Sequence, residues 1–380
     1  MERIHTCFKH STLVLHVQRL GLSPSPVDPL SPMPPADASP ADASLADASS
    51  AGSPAAGAAS HGEGILEVDL LAFERGDARS RDAVIDGVRR SLATGFVYAA
   101  CDLSATLLDD AYGMLARFFA LEPEVKGRFR APGSSGQTGY TGLLVETAAG
   151  SERADWKEML NWSEELPAGH PLRRRYPVLY PAPVLPEAAV PGITAVLGRF
   201  HRELAELQRR FLRIIALGMG CAEGFFDEIT QEAPTLSRAI RYPPMAQAPD
   251  EGHLWAAPHA DINLITALPR ATGPGLQVQV EGSWVDAVPP PGHVILNTGL
   301  MLERLSNGTI PAGWHRVVAP ADSGAERLSV VQFCHARPWT VLAPVPACCT
   351  PANPARWAGV QAADALEEVL YRIQLLDPPP

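Results

Sequence analysis

The chain has 380 residues, 46% of them hydrophobic, and a formal charge of −11. That length accommodates a large core and, at roughly 150 residues per domain, about two domain-sized units. An acidic balance without Lys/Arg blocks excludes a nucleic-acid surface or a polybasic membrane patch, and no apolar run approaches the ~20 residues that span a bilayer. The expected partner is a small molecule. Six cysteines without a Cys-x-x-Cys pair fit a reducing cytoplasm, with Cys348 and Cys349 read as small loop residues.

At the N-terminus, Arg3 and Lys9 precede Leu13-Val14-Leu15, but the apolar stretch is short and broken by His16, so it is not read as an export signal. Residues 1–60 form a low-complexity segment, Pro/Ala/Ser/Asp-rich from 23 onward, with a short repeat beginning at Ala36. Lacking bulky apolar side chains, it cannot offset its ordering entropy and is expected to be disordered, which makes Met33 a candidate translation start.

Order is expected from Gly64 to Leu71 as a short strand. An amphipathic helix follows around Asp82–Leu92, with apolar residues at 84, 85, 88 and 92. Gly95 to Ala100 reads as a buried strand, and a further helix ends near Phe118-Phe119. Residues 133–142 are a Gly/Ser-rich loop; the stretch Ser134 to Asn161 is a candidate lid, with Tyr140, Glu146, Trp156 and Asn161 as possible substrate contacts. The longest helix is predicted over 192–219, where Ile193, Leu197, Phe200, Leu204, Leu207, Phe211 and Ile214 fall on one stripe. It reads as a support for a sheet, without a site of its own.

From about 236 to 345 the pattern changes to short strands between Pro/Gly turns, as in Leu264-Ile-Thr-Ala-Leu, Gly275-Leu-Gln-Val-Gln-Val and Leu328-Ser-Val-Val-Gln-Phe. Such spacing predicts a sandwich or jelly roll. A closing helix is expected from Ala362 to Leu376. The fold class is mixed α/β (α+β), a β-core with flanking helices: a helical N-terminal region over 64–190, a long helix and β-core over 191–345, and a C-terminal helix and tail over 346–380. Two independently folding domains are not expected.

His259-Ala-Asp261 carries the chemistry. Residues i and i+2 of a strand share a face, so imidazole and carboxylate project side by side. His315 stands downstream in Gly313-Trp-His-Arg-Val. Two histidines and one carboxylate are the ligand set that holds non-haem Fe(II) with coordination positions left open. His253, His293 and His335 are read as structural. Arg327-Leu-Ser329 follows at hairpin distance, and a cation among mostly apolar neighbours needs an anion, which its guanidinium fork can bind bidentately. The same three ligands also suit Zn²⁺ and hydrolysis, and an inactive jelly-roll binding module is the remaining alternative.

In order, Arg241-Tyr-Pro-Pro, His259-x-Asp261, Gly275-Leu-Gln-Val, Gly282-Ser-Trp-Val, Pro291-Gly-His-Val-Ile-Leu-Asn-Thr-Gly, Leu305-Ser-Asn-Gly, His315-Arg-Val and Arg327-x-Ser329 resemble the isopenicillin N synthase-like family of Fe(II)/2-oxoglutarate-dependent dioxygenases. The resemblance runs from residue 64 onward. Its one departure is Val97-Tyr-Ala-Ala-Cys-Asp, which bears on N-terminal packing. It implies a double-stranded β-helix (jelly-roll) core, with His259, Asp261 and His315 as metal ligands. It further implies Arg327, Ser329 and Tyr242 as contacts of the cosubstrate 2-oxoglutarate, with O₂ as oxidant. The expected reaction hydroxylates, desaturates or cyclises a small metabolite, releasing succinate and CO₂; halogenating members lack the carboxylate that Asp261 provides. Ethylene formation or an isopenicillin N synthase-type oxidation without 2-oxoglutarate are the alternatives within the class. Neither substrate nor oligomeric state is legible.

Overall fold

Alternation of apolar and polar residues decides which short segments of this chain become strands. The computed structural model describes residues 64–147, 153–249, 253–321 and 324–373. The low-complexity segment 1–60, with Met33, and the predicted helix end at Leu376 lie outside the described residues. Twelve strands form the two main sheets: β1 (Glu67–Asp69), β2 (Phe96–Ala100), β3 (Gly139–Thr141), β4 (Glu158–Ser163), β5 (Leu236–Tyr242) and β6 (Ala256–His259), then β7 (Ile265–Ala271), β8 (Leu276–Val280), β9 (Ser283–Asp286), β10 (His293–Thr298), β11 (His315–Val317) and β12 (Arg327–Cys334).

One sheet has eight strands in the order β1-β2-β10-β7-β12-β5-β4-β3, and the other has four in the order β6-β11-β8-β9. From β5 onward the chain passes back and forth: β5 in the large sheet, β6 in the small, β7 large, β8 and β9 small, β10 large, β11 small, β12 large. Pairing is antiparallel except between β1 and β2. The architecture is thus mixed α/β with large sheets. Among the described residues no helix is long and apolar enough to cross a membrane, and the five cysteines are free.

The helix Ile193–Gly218 follows its apolar stripe, with Leu197, Phe200, Leu204, Phe211 and Ile214 fully buried. Fully burying each such side chain stabilises by about 1.5–3 kcal/mol. The helix supports the large sheet: Gln208 donates to the carbonyls of Ile265 and Gln332 (3.1 and 2.9 Å), and Trp162 Nε1 donates to Leu197 O. Helix Ala78–Ser91 is capped by Asp77, and Ala105–Phe119 by Ser104, each side chain accepting a first-turn amide. A second cluster, containing Phe96, Met159, Ile240, Leu268 and Ile295 of the large sheet with Leu276, Val278 and Val317 of the small one, fills the space between the sheets.

Several expectations shift. The predicted first strand is only three residues long, because Asp69 caps a following helix, Leu70–Arg75. The candidate lid contains β3 and the start of β4, paired through Gly139–Asn161 and Tyr140–Leu160, so part of it belongs to the large sheet. The segment after Gly95 is, as expected, a buried strand, and it pairs with β10. Arg327-x-Ser329 is not in a hairpin with His315, because β11 and β12 lie in different sheets.

His201, on the long helix, is 4% exposed and bonded to Ser237 Oγ at 2.8 Å. Burial pushes its imidazole down to about 4 from the ordinary 6.5. The unfolded chain therefore takes up a proton first as pH falls, so the stability present above 6.5 is lost as pH falls toward 4, by roughly 3 kcal/mol in full. Melting curves of wild type and His201→Asn should converge across that window; a difference independent of pH would remove His201 from the acid response.

Candidate metal centre

Three side chains converge between the sheets. β6 ends at His259, β11 begins at His315, and the two residues are register partners with ring centroids 4.3 Å apart. Asp261 lies two residues beyond the end of β6 and is not a strand neighbour of His259, yet the ligand atoms of His259, Asp261 and His315 all lie within 4.8 Å of one another. That span suits one ion about 2 Å from each.

Each ligand atom is oriented by a second contact. His259 Nδ1 meets Ala257 O at 2.8 Å and His315 Nδ1 meets Gly313 O at 3.0 Å. A carbonyl only accepts, so both Nδ1 atoms carry the proton and each Nε2 lone pair is free for a metal. Asp261 Oδ2 accepts from Thr266 Oγ1 at 2.6 Å and Asn297 Nδ2 at 2.9 Å, leaving Oδ1 without a donor among the described residues. Burial alone would raise this carboxyl, but His315, His259 and the two hydrogen bonds hold it below the usual carboxylate range. Burial, reinforced by His259, pushes His315 down to about 4, so the free imidazole is neutral and able to ligate.

Two glycines allow β11 to reach this place. Gly95 has φ +80°, and a Cβ there would sit 2.5 Å from Gly313 Cα, while one on Gly313 would sit 2.7 Å from Gly95 O. Thr298 bridges them, its N–H donating to Gly95 O and its carbonyl accepting from Gly313 N, both at 2.9 Å. The backbone that accepts the His315 proton is thereby fixed.

At one end of the inter-sheet space, Arg327 is register partner of Tyr242 and Ser329 of Ile240. Arg327 is 2% exposed, donates to Gly273 O (3.2 Å) and Ser329 Oγ (2.8 Å), and lies 5.2 Å from the Tyr242 ring centre. None of these is an anion. At the β4 side, Glu146, Lys157, Asp155 and Arg238 form a buried ion cluster: Lys157 Nζ lies 2.6 Å from Glu146 and 2.8 Å from Asp155, and Arg238 lies 3.1 Å from Glu146. Asp155 also accepts from Ala257 N, tying the cluster to β6.

Of the possible substrate contacts, Glu146 and Asn161 join this cluster, Asn161 through Arg238 Nε at 2.7 Å. Tyr140 instead donates to Glu158, within the helix-side core, and Trp156 donates to Pro244 O. Sequence reasoning missed Thr266, Asn297, Lys157 and Arg238. Asn297 lay within a quoted motif, where its polar side chain in the apolar run Val294-Ile-Leu-Asn was the available signal.

Known proteins define the class. The family profile described as the 2OG-Fe(II) oxygenase superfamily matches residues 234–336, and one described as the non-haem dioxygenase in morphine synthesis N-terminal region matches 68–187. A crystal structure of a 2OG-Fe(II) oxygenase family protein from Caulobacter crescentus is 30% identical with TM-score 0.71, covering 81% of this chain and 99% of that one. Gibberellin 20 oxidase 2 of Oryza sativa subsp. indica is 28% identical over 297 residues, 75% of this chain and 72% of the rice protein. A 2-oxoglutarate-Fe(II) type oxidoreductase of Aspergillus fumigatus is 35% identical over 141 residues, 37% of this chain and only 41% of the relative's length. The chain belongs to the 2OG-Fe(II) oxygenase superfamily, oxidoreductases whose cofactors are Fe(II), 2-oxoglutarate and O₂.

Proposed function

We propose that this chain is a dioxygenase that oxidises a C–H bond of a small-molecule metabolite, by hydroxylation, desaturation or cyclisation, with release of succinate and CO₂. Its metal ligands are His259, Asp261 and His315, and Arg327, Ser329 and Tyr242 bind 2-oxoglutarate. The core is a double-stranded β-helix over 191–345, a reading supported by the alternation of β5 to β12 between two sheets. The 64–190 region and the 346–380 helix and tail flank it.

Arg327 is the observation that carries the reading. A buried guanidinium with only neutral partners is costly unless an anion joins it. A dicarboxylate that also reaches the metal supplies that anion. Ser329 Oγ, already accepting from Arg327, can donate its own proton to the same carboxylate. Iron and 2-oxoglutarate, when bound, would supply the oxidising chemistry, with 2-oxoglutarate leaving as succinate and CO₂. The protein holds the three ligands together and keeps water out with Phe96, Trp255 and Val278 of the inter-sheet core.

Anaerobic addition of Fe(II) and 2-oxoglutarate is the test. Wild type should develop the weak visible charge-transfer band, and His315→Ala should not; a band that persists in the variant counts against the ligand set. On admission of air, succinate formation distinguishes this reaction from an isopenicillin N synthase-type oxidation.

A further inference from the structure

The inward row of β12 runs from Arg327 and Ser329 through Val331 and Phe333, and strand alternation carries it on to His335. On β5 the matching row has Tyr242 beside Arg327, Ile240 beside Ser329 and Arg238 beside Val331. The Arg327 end is assigned above to 2-oxoglutarate. Farther along the row stand two buried polar side chains, His335 and Arg238, the first with an unpartnered ring nitrogen.

His335 is 4% exposed, and its Nδ1 has no hydrogen-bond partner among the described residues. It lies within electrostatic reach of both Asp261 and Arg238, and burial keeps its imidazole neutral. Arg238 is 8% exposed; Nε donates to Asn161 at 2.7 Å and Nη1 to Glu146 at 3.1 Å. Its Nη2 takes part in neither bond and is not among the fully buried unpartnered atoms. The guanidinium carbon stands 5.4 Å from the centre of the Phe333 ring. The buried, unpartnered Nδ1 of His335 calls for a reason in a native fold.

Charge selects what these groups accept. Lys157 and Arg238 face Glu146 and Asp155, so every charge in the cluster already has an opposite partner. A further buried carboxylate would sit beside Glu146 with no cation of its own. Arg238 Nη2 offers donors only, whereas a neutral imidazole offers one donor and one acceptor. A carbonyl oxygen on Nη2 and an N–H on the imidazole satisfy both, with Phe333 as a flat apolar wall.

Resting on the function proposed above, we infer that Arg238, His335 and Phe333 are substrate-recognition residues and that the group they take is an uncharged amide: a carboxamide, imide or lactam. Substrate then approaches the metal from the side opposite Arg327.

Matched fragments test this with the protein loaded anaerobically with Fe(II) and 2-oxoglutarate. Benzamide and 2-piperidone at millimolar concentration should shift the visible band, and benzoate and valerate should not. Arg238→Met and His335→Leu should each weaken amide binding at least tenfold while the 2-oxoglutarate midpoint stays within twofold. Without fragment, His335→Leu should melt at or above the wild-type temperature, because it removes a buried ring nitrogen that has no hydrogen-bond partner among the described residues. Preference for the carboxylates, no shift with either amide, amide affinity unchanged in both variants, or a lowered melting temperature for His335→Leu would each overturn the assignment. Absence of the visible band in wild type would instead sink the function proposed above, and this inference with it.

Discussion

Asp261→Ala is expected to lower Fe(II) affinity by more than about 100-fold and to abolish succinate formation. Loss of an outer partner of a metal ligand typically costs about 10–100-fold, and this variant removes a ligand outright. The carboxylate is the only anion in the triad, so the two remaining imidazoles would hold a dication without charge compensation. Its environment fits that role: Thr266 and Asn297 both donate to Oδ2, which fixes the orientation and leaves Oδ1 without a donor among the described residues. Thr266→Val and Asn297→Leu should therefore weaken iron binding by lesser factors, within about 10–100-fold. Iron titration at constant ionic strength, with near-UV circular dichroism to confirm an intact fold, reads all three. Equal Fe(II) affinity in wild type and Asp261→Ala would remove this residue from the centre.

The triad was accessible to sequence reasoning because chemistry confines it. His-x-Asp needs no long-range register to place two ligands near each other, and a lone arginine in an apolar run implies an anion. Even here the local geometry differed, since β6 ends at His259 and the carboxylate is brought back by bonds from β7 and β10 rather than by strand alternation. Parity decided what was missed. Arg241, in the quoted Arg-Tyr-Pro-Pro motif, points away from the site and pairs with Glu158 and Glu326, whereas Arg238, three residues earlier, faces inward. Distinguishing them requires knowing which face of β5 meets the small sheet. His335 was read as a core histidine, and it is buried, but its missing hydrogen bond depends on neighbours contributed by other strands. Strands β3 and β4 escaped notice because one is three residues long and the other, Glu158–Ser163, places Glu158 and Asn161 among buried residues.

Arg327→Met should produce two opposite effects. Affinity for 2-oxoglutarate should fall by about 100-fold or more, because removing one partner of a buried charge pair costs about 2–5 kcal/mol and each 1.4 kcal/mol is tenfold. Iron binding alone should be spared, since the partners of Arg327 among the described residues, Gly273, Ser329 and Tyr242, include no member of the triad. Stability without ligand should move the other way. Arg327 is 2% exposed and pairs with no carboxylate among the described residues, and methionine fills much of the same space without a charge to desolvate. The ligand-free variant should thus melt at a higher temperature than ligand-free wild type. In wild type, 2-oxoglutarate at about 100 times its dissociation constant should add roughly 2.7 kcal/mol to stability by mass action, and the variant at the same concentration should gain far less. Arg327→Lys, keeping the charge but losing the two-pronged fork, should fall between the two in affinity. Melting curves with and without 2-oxoglutarate, in the presence of metal, separate these effects. A variant that is less stable without ligand yet equally stabilised by it would mean that Arg327 serves the fold, and that the cosubstrate carboxylate is held elsewhere.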